Sequence, residues 1–269
     1  MLEKIMETVE FLRSRGFTAP EAGIVLGTGL GGLATKIGNP LEIAYADIPN
    51  FPLSTVKGHA GKLIYGDFGG RKIIAMKGRF HYYEGYGPEQ VTFPIRVMKQ
   101  LGIRALFLSN AAGGTNPTFR IGDIMIITDH ISLLPNPLIG PNDDRIGPRF
   151  PDMSTAYDRD LIVKAESIAD KLGIPIKKGV YLSTSGPTFE TPSEYRYFRT
   201  IGSDAVGMST TPEVITARHM SIPCFAVSII TDMGVEGKIE YTTHESVQEA
   251  AEHSEQKMTK VIEKLIASF

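Results

Sequence analysis

Residues 22–40 read AGIVLGTGLGGLATKIGNP, an apolar, β-rich run that stops in glycines. Gly27, Gly29 and Gly32 match the dinucleotide-binding spacing G-x-G-x-x-G, and Asp47 follows Gly27 at the distance where such a fold keeps its ribose-binding carboxylate. The next residues decide against it. Only LATKIGN separates Gly32 from Pro40, whereas parallel strands need a connection of roughly a dozen residues, usually helical. What the segment keeps is a strand leading into glycines, whose backbone N–H groups form a concavity able to hold an anion, with the Thr28 hydroxyl beside it. A purely structural glycine turn explains the same residues.

Similar runs recur outward from this one: KLIYG, KIIAM, ALFLS, DIMIIT, KKGVYLS and CFAVSII, nearly all ending in Gly, Ser, Thr, Asn or Asp. Amphipathic stretches of helical length lie around residues 2–15, 89–101, 159–172, 212–220 and 244–267. The pattern predicts an α/β fold, with residues 1–269 forming a single domain. Thr242 and Glu245 have capping-box spacing before the last helix, whose apolar stripe runs from Val247 to Ile266. In TTPEV, Thr211 is the expected cap, Pro212 the first helical residue and Glu213 a partner for the helix dipole, which puts Met208, Ser209 and Thr210 at a helix N-terminus. The longest irregular stretch, residues 133–154, is rich in Pro, Gly, Asn and Asp; loops of that length usually serve a site or an interface.

Composition narrows the function. Twenty-eight basic against 30 acidic side chains leave a net charge of -2 with no basic stripe, so nucleic acid is not an expected partner. Cys224, the single cysteine, lies in an apolar run and reads as a small buried thiol. The first residues alternate charged and apolar positions, with no signal-peptide core and no stretch long enough to span a bilayer; no membrane partner and a cytoplasmic location are expected.

Polar chemistry gathers after the strand KIIAM. The segment KGRFHYYEGYG puts Arg79, His81 and Tyr83 at alternating positions, which in extended chain leave on one side and offer a guanidinium, an imidazole and a phenol together. Arginine's planar fork suits phosphate oxygens, and tyrosine can stack on or hydrogen-bond a sugar. Glu84, on the opposite side, either orients the arginine or is solvated. His59 sits between small residues in GHAG, SNAAGGTNP follows ALFLS with Asn110 as a possible cap, and SGPTFETP, DAVGMST and SIITDMG present Phe189 with Glu190, Met208 with Ser209, and Asp232. Each has an ordinary reading as a turn, cap or core residue.

In order along the chain, GTGLGG, GHAG, GRFHYYEGY, SNAAGG, GPNDDR, RFPDMSTAYDR, GPTFET and DAVGMSTTPEV closely resemble the motifs of the trimeric purine nucleoside phosphorylases. That resemblance implies a homotrimer whose central mixed, partly barrel-like sheet is wrapped by helices, and reversible phosphorolysis of purine nucleosides. It implies no metal or organic cofactor, inorganic phosphate being a co-substrate. Phosphate falls to Thr28, His59, Arg79, His81, the backbone of Ala111 and Ser209. The nucleoside falls to Tyr83, Met208 and His244 around the ribose, to Phe189, Glu190 and Asp232 around the base and to Val206 as a further nucleoside contact, with Phe150 reaching a neighbouring subunit's site. His81, Glu190 and Asp232 are the implied catalytic groups.

Two positions depart from the usual pattern. Thr28 stands where serine is commoner, which keeps the hydroxyl. Asp232 stands where members preferring 6-oxopurines have asparagine, and the methylthioadenosine phosphorylases carry aspartate there, so a 6-amino specificity is the alternative. An ionised aspartate only accepts hydrogen bonds, whereas Glu190 as a carboxylate suits an N1–H; if burial raises the pKa of Asp232, its protonated form donates as asparagine does. Base preference stays open at this point, and so does a non-catalytic nucleotide-binding reading of GTGLGG, against which the short crossover counts.

Overall fold

All five residues of the run Ala22–Leu26 are buried, as a strand covered on both faces requires, and this strand, β1, lies near the middle of the sheet. The computed structural model describes residues 1–28, 30–55 and 61–269. Among these, β1 is joined by β2 (Gly38–Ala44), β3 (Lys62–Phe68), β4 (Arg71–Lys77), β5 (Ala105–Gly114), β6 (Ile124–Ser132), β7 (Ile176–Ser183), β8 (Ala205–Gly207) and β9 (Cys224–Met233). The order is β2-β3-β4-β1-β5-β8-β7-β6-β9, and an additional β5–β9 pairing closes the last five strands into a ring. The sheet is mixed, with β1 parallel to β4 and β5, and β2–β3–β4 antiparallel.

The chain leaves β1 through a 3-10 helix, Gly31–Lys36, and enters β2 at the far edge of the sheet. No crossover helix lies between them, which is why the dinucleotide spacing is a decoy. β2 carries no apolar alternation to announce it; it is an edge strand with Asn39 and Pro40 at an irregular register, where a missing backbone N–H does no harm.

Helices α1 (Leu2–Ser14), α2 (Pro88–Leu101), α3 (Arg159–Leu172), α4 (Pro192–Thr200), α5 (Thr211–His219) and α6 (His244–Ala267) surround this sheet. The expected helix caps move by one residue. Thr210, not Thr211, is the N-cap of α5, and it sits at φ 69°, a conformation a β-branched residue adopts only under constraint. For α6 the cap is Thr243, whose hydroxyl accepts from the Ser246 N–H while Ser246 Oγ accepts from the Thr243 N–H. Thr242 and Glu245 have the right spacing, but the box one residue along satisfies the same orphan donors.

Cys224 is fully buried, and burial pushes its thiol up to about 12, which leaves it inert as a nucleophile. No helix among the described residues is long and apolar enough to cross a membrane. Replacing Thr243 by alanine should cost about 1 kcal/mol in urea unfolding, as loss of an N-cap does, and Thr242→Ala clearly less; the reverse order would return the helix start to Thr242.

Candidate active site

Strand β5 presents two edges. One pairs with β9 along Leu106 to Gly114. The other pairs with β1 only as far as Leu108 and with β8 only from Gly113, so residues 109–112 have no strand on that side. A cleft of about 440 Å³ opens at this gap, at the carboxyl ends of the parallel strands β1 and β4. Ser109 turns its carbonyl to this edge, and the two-residue alternation turns the Ala111 N–H and C=O the same way. Gly27 permits the approach of β1 to β5, since a Cβ there would lie 2.7 Å from the Ser109 carbonyl oxygen.

One end of the cleft is cationic. Arg79 is almost wholly buried; its Nε donates to Glu213 Oε1 at 2.9 Å and its Nη1 to the Ser109 carbonyl at 2.8 Å. A buried guanidinium requires such pairing. Glu213 is therefore less a partner for the helix dipole than the counter-ion of Arg79, held on a helix of which every residue but Arg218 is buried. Beside them His81 Nδ1 lies 3.0 Å from Glu84 Oε1, and the same oxygen accepts from the His81 backbone N–H at 2.8 Å. Burial opposes ionisation of Glu84, but the hydrogen bonds from His81 and Thr55 outweigh it and bring its carboxyl down to about 2. Burial holds His81 below the usual histidine range despite that partner. The neutral ring then keeps its proton on Nδ1, facing a carboxylate that only accepts.

Arg79, His81 and Tyr83 do line one cleft, though not through an extended chain. Tyr82–Glu84 form a 3-10 turn ended by Gly85 at φ 91°, which stacks the Tyr83 ring on that of His81 with centroids 4.6 Å apart. Thr28, Ala111 and Ser209 line the cleft with them. Asn110 is more than a turn cap: its Nδ2 donates to Thr210 Oγ1 at 2.9 Å, helping to hold the strained residue next to Ser209.

The other end carries two carboxyls. Asp232 and Thr231 both line the cleft although they are neighbours on β9, because the register slips between Ala112 and Gly113 and inserts one extra residue opposite. Burial raises the pKa of Asp232, against hydrogen bonds from Tyr195 and Thr231, and burial together with the nearby Asp232 pushes Glu190 up to about 7. Phe189, Val206, Met208 and His244 complete the walls.

His59 lies outside the described residues. Phe150 is away from this cleft, 87% exposed, and stacks under Arg149. Glu84, weighed as an orienter of the arginine or a solvated residue, is instead buried against His81; Glu213 and Tyr195 were not read as site residues, and only their tertiary partners identify them. Among the described residues no group of three or more His, Cys, Asp or Glu is placed to hold a metal ion.

Fold and cleft together describe an α/β protein that can seat an anion beside a flat polar ring. The sequence model of the family described as Phosphorylase superfamily matches residues 21–267. Purine nucleoside phosphorylase 1 of Bacillus subtilis (strain 168) is 50% identical over 270 residues, covering 100% of each chain. A Schistosoma mansoni purine nucleoside phosphorylase solved in complex with adenosine superposes with a TM-score of 0.94 at 42% identity, covering 99% of this chain and 97% of that one. Isoform 2 from the same organism, in complex with cytosine and ribose-1-phosphate, gives 0.94 and 42%, covering 98% and 96%. The chain belongs to the phosphorylase superfamily and, within it, to the purine nucleoside phosphorylases.

Glu213→Gln should destabilise the fold by about 3–5 kcal/mol in denaturant unfolding, because it leaves a buried guanidinium without its counter-charge; a loss below 1 kcal/mol would show that the pair is not holding Arg79. Glu190 has a raised folded pKa, so its contribution to stability is fully present below its ordinary pKa of 4.5 and is lost as pH rises through about 7. Glu190→Gln should accordingly gain on the wild type in thermal midpoint between pH 5 and pH 8, and parallel curves would refute the assignment.

Proposed function

We propose that the protein catalyses the reversible phosphorolysis of purine ribo- and deoxyribonucleosides to free purine and α-(deoxy)ribose 1-phosphate, as a pentosyltransferase of purine salvage. One observation carries the reading: a single cleft holds a fixed guanidinium, imidazole and hydroxyls at one end and, at the other, two buried carboxyls whose pKa values burial raises. The one family match over residues 21–267 supports treating the whole chain as a single phosphorylase domain.

Phosphate is assigned to Thr28, His59, Arg79, His81, the Ala111 backbone and Ser209. Glu213 and the Ser109 carbonyl fix the Arg79 fork before phosphate arrives, so little reorganisation accompanies binding. An arriving dianion favours the charged imidazole, opposing the effect of burial on His81, and Glu84 stabilises the proton gained. Tyr83, Met208 and His244 are assigned to the ribose, with Val206 as a further nucleoside contact. Phe189 stacks on the purine, Glu190 faces N1, and Asp232 faces N7 and the 6-substituent.

In the forward direction the bond from C1′ to the purine breaks while a phosphate oxygen attacks the opposite face, which inverts the anomeric centre. Positive charge developing on the sugar is met by the phosphate beneath it, and the electron pair left on the purine is met by hydrogen bonding or proton donation at N7 from Asp232, whose burial favours its protonated form. Fixed donors in a narrow cleft favour phosphate over water as the nucleophile. No metal or organic cofactor enters this scheme.

A homotrimer and a cytoplasmic location complete the proposal. Phe150, Ile139 and Leu133 are exposed apolar residues of one long loop, and a neighbouring copy would cover them while receiving Phe150 in its own site.

Inosine should be converted to hypoxanthine and ribose 1-phosphate only when phosphate is present. Arg79→Ala should raise the KM for phosphate at least about tenfold, the loss expected for a charge-assisted fork. Hydrolysis of inosine at equal rate without phosphate would sink the assignment.

A further inference from the structure

Tyr195 takes no part in the chemistry above, yet its hydroxyl reaches both purine-facing carboxyls. It donates to Asp232 Oδ2 at 2.8 Å and lies near enough to the Glu190 carboxyl to favour its ionised form. Three features fix it there. It stands in the first turns of α4, whose cap is the residue after Glu190: Thr191 Oγ1 accepts from the Glu194 N–H, and Glu194 Oε2 accepts from the Thr191 N–H. Its ring packs on Gly234, where a Cβ would lie 2.0 Å from a ring carbon. At Gly113, a Cβ would lie 2.8 Å from Asp232 Oδ2 and 3.1 Å from the Tyr195 hydroxyl, so both glycines make room for this one arrangement.

A phenol has one proton to give and lone pairs to accept with. While Tyr195 donates to an ionised Asp232, its oxygen can accept from a protonated Glu190; the mirror arrangement puts the proton on Asp232 and leaves Glu190 ionised. Passing between them moves the Glu190 proton onto the Tyr195 oxygen as the Tyr195 proton moves onto Asp232 Oδ2. No charge leaves the cluster.

The two states complement two kinds of base. A 6-oxopurine offers N1–H and an acceptor at O6, which match an ionised Glu190 and a protonated Asp232. A 6-aminopurine offers an acceptor at N1 and N–H at the 6-position, which match the reverse, and there the proton that meets the leaving base comes from Glu190 at N1 rather than from Asp232 at N7. We propose that Tyr195 joins Glu190 and Asp232 into one unit holding a single exchangeable proton, and that the cleft accepts both 6-oxo and 6-amino purine nucleosides by moving it. The inference rests on the phosphorolysis reading, which places Glu190 at N1 and Asp232 at the 6-substituent; Tyr195 acts through Asp232 and is a positioning residue.

The surroundings favour one proton over none. Arg79, the one Lys or Arg side chain lining the cleft among the described residues, is engaged by Glu213; His81, Glu84 and His244 are its other titratable walls besides Tyr83 and the two carboxyls. On its outer side Asp232 also borders an open groove with Arg120, Lys238, Glu240, Glu249 and His253, in which the cations are matched by acids. Burial raises both carboxyls, and the charge of Asp232 helps to push Glu190 up to about 7, so the shared proton is held below that pH and lost as pH rises through it.

The test is kcat/KM for inosine and adenosine from pH 5.5 to 9 in the wild type, Tyr195→Phe, Asp232→Asn and the double variant. The wild type should handle both nucleosides within about tenfold of each other at pH 7, and both values should fall together above it. Tyr195→Phe removes the donor that favours ionised Asp232, so the proton stays on Asp232 and the adenosine-to-inosine ratio should drop about tenfold. Asp232→Asn should lower the ratio at least as far, and adding Tyr195→Phe to it should change the ratio no further, a non-additivity that a merely structural tyrosine would not produce.

A wild-type preference above about a hundredfold for either nucleoside, an unchanged ratio in Tyr195→Phe, or an additive double variant overturns the inference and leaves phosphorolysis standing. Failure of both nucleosides to react with phosphate overturns the phosphorolysis reading itself. If Tyr195→Phe does not fold, the wild-type ratio, the common alkaline limb and the Asp232→Asn shift decide the matter.

Discussion

Strand β5 is committed on one edge to β9 along most of its length, while its other edge is claimed by β1 at the start and β8 at the end. Those two neighbours leave four residues uncovered, and backbone groups there must find partners outside the sheet. Arg79 takes the Ser109 carbonyl, and the Ala111 amide and carbonyl face the cleft. The anion end of the site is therefore built into sheet topology. It exists because an open mixed sheet and a closed ring share one strand and diverge from it.

A guanidinium in such a gap has to be neutralised, and the fold does so with a helix that is buried on nearly every side. Glu213 can sit on α5 without disrupting the packing only because Arg79 meets it. The strained Thr210, held by Asn110, starts that helix and sets the direction of Ser209. Charge pairing, backbone strain and the position of a ligand-facing hydroxyl are thus one arrangement, which couples the stability of the core to the geometry of the anion site.

The carboxyl end obeys the opposite rule. Among the described residues no Lys or Arg side chain of the cleft is matched to Glu190 and Asp232, so desolvation raises the pKa of both, the charge of Asp232 raises Glu190 further, and the Tyr195 hydroxyl lies beside them. The β-bulge that turns Thr231 and Asp232 toward the same space is what brings the second carboxyl within reach of the first. One cleft therefore combines a charge-neutralised cation with proton-holding acids, two environments that separate the ends of a nucleoside substrate.

Much of this was legible along the chain. Continuous apolar runs of β-branched residues announce buried strands, because nothing else covers such surface, and seven of the nine strands were visible on that ground. β2 and β8 were not, since an edge strand and a three-residue strand need no apolar pattern. Motif order identified the family and drew Arg79, His81, Glu190 and Asp232 into one hypothesis, but the helix starts at Thr210 and Thr243 fell one residue from the expected positions: Thr243 offers the same capping hydroxyl as Thr242, whereas Thr210 begins its helix with a strained backbone and no side-chain cap hydrogen bond. Residue types and their order determined the fold class, the buried thiol and the kind of chemistry on offer. Only tertiary structure decided which acid serves which base: Glu213 meets Arg79 from 134 positions away, and Tyr195 meets Asp232 from 37. Hydrogen bonds and ion pairs act through space at about 3 Å, and spacing along a chain carries that information only within a single helix, strand or turn.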